Sequence, residues 1–169
     1  MSLNERHPES RVIPAQTHEL AEKLMKKKDP YWILGKSLGP VYEDRDFADL
    51  FGRQGPQAVS PGMLAMVVVL QFAEGLTDRQ AADAVRTRID WKYLLRLELD
   101  YNGFDASDLS EFRGRLVQGD ASERLLNRLL DVFRAKGAIK SHKQQRTDST
   151  HVLDAVRTLS RLELLGEAM

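Results

Sequence analysis

The sequence predicts a mainly α-helical fold. It reads as a multi-helix N-terminal domain with a helix-turn-helix-like core, followed by the start of a second unit. Three observations carry this. Between Ser60 and Leu99, capping residues and apolar spacing mark three helices in quick succession. In "DASERLLNRLLDVFRAKG", residues 120–137, Leu125/Leu129 and Leu126/Leu130/Phe133 stand one turn apart, and Gly137 is a natural residue to follow a helix. After Gly137 the helical signals weaken, and "AIKSHKQQRTDSTHVL" suits an extended strand. The predicted division is therefore 1–137 and 138–169.

The totals fit one globular domain or slightly more. The 169 residues are 42% hydrophobic, enough to bury a core. Twenty-five basic and 25 acidic side chains give zero net charge, which excludes a uniformly basic nucleic-acid binder but not a basic patch. The absence of cysteine excludes disulfides and thiolate metal sites. The opening "MSLNERHPESRVIP" is charged where a signal peptide would be apolar. The longest apolar run, Met63–Ala73, is shorter than the ~20 residues a bilayer requires. A cytoplasmic protein without a membrane span is expected.

Taken in order, "PAQTHELAEKLMKKKDP" allows a short helix. Thr17 is its expected cap, and Lys26, Lys27 and Lys28 favour its C-terminal end. Pro30 limits its extension. Residues 31–59 read as loop with short helical pieces, one of them "EDRDFADLF". "SPGMLAMVVVLQFAEG" starts with Ser60 as cap and Pro61 at the first helical position, and Gly75 ends it. Its apolar composition predicts burial nearly all round. Thr77 and Gln80 form a capping box for the next helix. Asp90 is the expected cap of the third, with Trp91, Leu94 and Leu95 buried. Ser107 is the expected cap before "SDLSEFRGRL", and Asp120 with Glu123 forms the box of the last clear helix.

Three helices around a tight turn suggest a helix-turn-helix. In that motif the last helix enters the major groove, here residues 90–97, with Lys92 and Arg96 outward. Arg86 and Arg88 precede it and could hold phosphates, as could Arg113 and Arg115 on the following helix. Asp78, Asp83 and Asp90 oppose such contact. Farther on, Arg134, Lys136, Lys140, Lys143 and Arg146 occur with no acid between Asp131 and Asp148. Such a run is either a solvated surface or a phosphate contact. Asp148 itself reads as a turn cap beside Ser149 and Thr150, or as a carboxylate for a metal ion. Two-metal phosphoryl transfer needs several carboxylates converging on ions about 3.5–4 Å apart, so one Asp supplies a single ligand. On the residues alone, the turn cap is the better reading of Asp148 and the solvated surface the better reading of the cationic run.

"GLTDRQAADAVRTRIDWKYLLRLELD", "GFDASDLSEFRGRL" and "RTDSTHVLDAVRTLSRLELLGE" together resemble the N-terminal portion of bacterial insertion-sequence transposases of the DDE class. The resemblance implies a helical domain that recognises terminal inverted repeats of DNA. It implies that the segment after Gly137 opens a ribonuclease-H-like α/β catalytic domain, incomplete here. It implies that Asp148 is the first acid of the triad and a Mg²⁺ ligand. The family's second Asp and its Glu lie farther downstream than Met169, so this chain alone is expected to be inactive and to bind no metal. The implied partners are DNA, a second copy or a full-length transposase, in a prokaryotic nucleoid. The rival expectation is a helical interaction module, regulatory or inhibitory, that dimerises without reading DNA sequence.

Overall fold

In the computed structural model of the chain, the structure describes residues 12–52 and 58–136. They form seven α-helices and a 3-10 helix, and no strand is present among them: α1 (Ala15–Leu24), α2 (Pro30–Ser37), the 3-10 helix (Asp44–Leu50), α3 (Pro61–Glu74), α4 (Asp78–Thr87), α5 (Ile89–Leu95), α6 (Ala106–Gln118) and α7 (Ser122–Ala135). The fold is mainly helical, as the spacing predicts. The expected boundary after Gly137, and the expected start of an α/β unit, lie outside the described residues.

Several helix ends follow local chemistry. The Ser60 hydroxyl accepts from the Met63 N–H, Pro61 opens α3, and Gly75 closes it at φ 67°, a left-handed conformation that glycine adopts without penalty. Thr77 and Gln80 form the expected box at α4. Other ends differ from expectation. Thr17 lies inside α1, fully buried, and its hydroxyl donates to the Leu97 carbonyl at 2.7 Å. Asp105, not Ser107, caps α6, because its carboxylate accepts the Ser107 N–H at 2.8 Å. At α7 the N-cap is Ala121, without a side-chain cap, and Asp120 takes φ 50°. The segment read as loop contains α2, which Pro30 opens rather than blocks, since the first helical N–H has no partner to lose.

The main core is built by α3, α4, α6 and α7 around the 3-10 helix, with Leu34 of α2 and Trp91, Leu94 and Leu95 of α5. Phe47 meets Phe112 edge to face at 5.5 Å, with Val67, Val85, Leu109 and Leu129 around them. Only the first half of α3 is buried all round; Phe72, farther along, is 60% exposed. A smaller cluster joins α1, α2 and α5, where Trp32 stacks on Tyr93 at 4.9 Å. Gly35 permits this approach of α2 to α5, since a Cβ there would stand 2.4 Å from Tyr93 Cε1. Helix α5 thus lies against both α1 and α2. Trp91, Lys92, Tyr93, Leu94 and Leu95 are consecutive buried residues, so α5 is an interior helix with no free face.

Candidate nucleic-acid interface

The burial of α5 decides the placement of the expected recognition helix. A helix that enters a groove presents a free face to the base edges. Helix α5 has none, and the outward placement of Lys92 and Arg96 is corrected accordingly. Lys92 is 4% exposed. Its Nζ donates to the Leu99 carbonyl at 2.7 Å and the Tyr101 carbonyl at 2.9 Å, fastening the chain that leaves α5. Burial pushes the ammonium pKa down from its usual value. Arg96, at φ 56°, ends α5. Its guanidinium donates to the carbonyls of Leu38 at 2.6 Å, Leu94 at 3.1 Å and Gly35 at 3.2 Å. It therefore serves the C-terminal end of α2, where helix carbonyls lack intrahelical donors.

Arg88 is the residue that joins α4 to α5. It bridges Glu74 at 2.5 Å and Asp90 at 2.6 Å, with its guanidinium 5.3 Å from the centre of the Trp91 ring. Glu74 also accepts from the Tyr31 hydroxyl and from Trp91 Nε1 at 3.0 Å. Burial alone would raise the Glu74 pKa, but Arg88, Tyr31 and Trp91 together hold it below the usual carboxylate value. Arg113 bridges α6 to α4 through Asp78 at 2.7 Å, with Gln71 of α3 at 3.3 Å. Its hydrogen bond holds the Asp78 carboxyl low, against burial. Arg115 lies 5.1 Å from the centre of the Phe51 ring and donates weakly, at 3.4 Å, to the Leu50 carbonyl. These three arginines tie helices together.

Two expected contacts remain on the surface. Arg86 is exposed on α4, paired with Asp83 at 2.6 Å. Lys136 is exposed just after α7. Lys140, Lys143, Arg146 and Asp148 lie outside the described residues. Among the described residues no group of three or more His, Asp or Glu is placed to hold a metal ion. No described helix is long and apolar enough to cross a membrane.

Sequence reasoning passes over one cluster. Lys26, Lys27 and Lys28 form the exposed turn between α1 and α2. No described acid pairs with them. Asp29, next in the chain, directs its carboxylate to the Tyr31 N–H at 2.8 Å and caps α2. The available signal is three adjacent lysines with no acid between Glu22 and Asp29. In sequence they read as charges suited to a helix C-terminus, but α1 ends at Leu24 and the basic residue of its last turn is Lys23.

The described fold is thus a helical domain whose interior cations lock its helices and whose free cations lie at the surface. The family model of the transposase domain DUF772 matches residues 18–115, from α1 into α6. The chain belongs to that transposase domain family, and membership suggests a role in transposition. No curated protein and no solved structure matches it.

Proposed function

We propose that this chain serves DNA transposition by binding DNA. The observation that carries the reading is the family match, which spans the described helices from α1 to α6. The surface cations support it. Arg86 and Lys136, with Lys140, Lys143 and Arg146, are the proposed phosphate contacts. Lys92, Arg96, Arg88, Arg113 and Arg115 are engaged within the fold. Recognition of terminal inverted repeats belongs to the same reading, as the finer step.

The test is fluorescence anisotropy with a duplex carrying the source element's terminal repeat and a scrambled duplex of equal length. Binding that weakens steeply with salt supports the reading. A preference of ~10³ or more for the repeat at physiological salt adds end recognition. Failure to bind either duplex at low salt overturns it.

By resemblance, Asp148 is proposed as one carboxylate of a Mg²⁺ site in the family's strand-transfer chemistry. One carboxylate supplies a single ligand of such a site, so Asp148 by itself is expected not to support nicking of DNA. Mg²⁺-dependent nicking that disappears in Asp148→Asn would overturn this.

A second reading is a self-associating helical module. Phe72 favours it: it is 60% exposed on α3, flanked by the half-buried Val68 and Val69. Sedimentation equilibrium tests it. A dimer that Phe72→Ser dissociates supports the module, and a monomer at all concentrations removes it.

A further inference from the structure

The cations of this domain divide into those engaged within the fold, such as Lys92 and Arg96, and those that face outward. Most of the described arginines are engaged. Arg96 and Arg115 donate to main-chain carbonyls; Arg86, Arg124 and Arg134 each stand against an aspartate. Lys26, Lys27 and Lys28 differ in kind. They are adjacent and exposed, and nothing described pairs with them. The one neighbouring acid, Asp29, is committed to the start of α2. Even counting Asp29 in full, residues 26–29 carry a net charge of +2, since three lysines face one aspartate. The Arg86–Asp83 pair sums to zero. Lys36, also exposed and unpaired within the described residues, stands near the far end of α2, about one short helix length away, or roughly 12 Å.

The kind of cation matters. A guanidinium can read a guanine edge or clamp a phosphate through two parallel hydrogen bonds, whereas an ammonium acts as a point charge on a flexible stem. A turn built of lysines alone therefore suits a charged backbone and is poorly built to distinguish bases. Phosphate contact of this sort supplies affinity and salt dependence but no sequence information.

We propose that the turn Lys26–Lys28 contacts the phosphate backbone of duplex DNA and holds it without regard to sequence. This rests on the DNA-binding reading and adds a further phosphate-contacting surface to it. The lysines are exposed and form no contact in the core, so replacing them leaves the fold intact, and thermal melting by circular dichroism is expected to coincide with wild type.

The experiment compares the full chain with the triple variant Lys26→Gln/Lys27→Gln/Lys28→Gln. Anisotropy is read on two duplexes of unrelated sequence between about 50 and 200 mM salt. Each phosphate neutralised by a lysine contributes about 0.9 to the slope of log affinity against log salt. The expected result is a slope smaller by about 2–3 in the glutamine variant, equally on both duplexes, with Lys26→Arg/Lys27→Arg/Lys28→Arg keeping the wild-type slope. A slope unchanged in the glutamine variant overturns the inference while leaving DNA binding in place. Loss on one duplex alone overturns it as well, since the turn would then read sequence. Wild-type protein that binds neither duplex removes the DNA reading itself, and the inference with it. Lysine-dependent binding to phosphatidylserine vesicles in place of DNA would make the turn a membrane contact and also overturn it.

Discussion

The hydroxyl of Thr17 and the carbonyl of Leu97 meet at 2.7 Å across 80 positions of sequence. The bond fastens the first helix to the chain just beyond α5, in a fully buried place. Valine has the same shape without the donor. Thr17→Val leaves a buried carbonyl without its partner and is expected to cost about 1–3 kcal/mol. Urea unfolding checks it: the midpoint falls while the slope is unchanged.

The Lys92 ammonium organises the carbonyls of Leu99 and Tyr101. Lys92→Met keeps the aliphatic stem and removes the donor. It is expected to lower stability by roughly 1–3 kcal/mol, mostly through acceptors left unpaired. The folded variant is expected to keep the wild-type salt slope for DNA. An altered slope at unchanged stability would return Lys92 to the DNA surface.

Gly35 is required by the stacking of Trp32 on Tyr93. A methyl group at position 35 would lie inside the van der Waals envelope of the Tyr93 ring. Gly35→Ala is expected to push α2 off α5 and to cost about 1–3 kcal/mol, as overpacking does. Near-ultraviolet circular dichroism is the direct readout, because the stacked pair sits at that contact. An unchanged spectrum and midpoint would show that α2 gives way freely.

Glu74 gives a pH dependence with a definite sign. Burial pushes its pKa up, but Arg88, Tyr31 and Trp91 together outweigh burial and hold the folded value below the ordinary 4.5. A carboxyl held low contributes stability that is present above its unfolded pKa and is lost as pH falls through the folded one. Glu74→Gln removes that contribution. The stability gap between wild type and variant is therefore expected to be full near neutrality and to narrow below about pH 4. Urea midpoints measured from about pH 7 down to pH 3 test this, and a gap that stays constant would contradict it.

The elements that sequence makes legible are those whose ends are decided locally. Ser60, Pro61 and Gly75 bound α3, and Thr77 with Gln80 opens α4, because a cap needs partners only three or four residues away. What stays hidden depends on distant groups. Lys92 and Arg96, four residues apart, look like a solvated helix face. Their partners are carbonyls at the end of α2 and in the loop after α5, which no local pattern reveals. Their long apolar stems also tolerate burial while the head groups reach polar neighbours. Thr17 misleads for the same reason, since threonine caps helices and also donates across cores. Helix α2 looks like loop because of Pro30 and Gly35. The first suits a helix start. The second makes room for the ring of Tyr93, which arrives from far along the chain and leaves no trace in the local pattern.

The burial of α5 between α1 and α2 also fixes an order of events at the ribosome. Helices α1 and α2 are made first, but the ring that stacks on Trp32, Tyr93, arrives only with α5. At a synthesis rate of about 5–20 residues per second, the interval between Ser37 and Ile89 leaves these two helices without α5 for several seconds. During that time the Trp32 side chain has the tilted ring of His18 beside it but not the stacked ring of Tyr93. The N-terminal segment is thus the earliest made part of the described domain and among the last to settle.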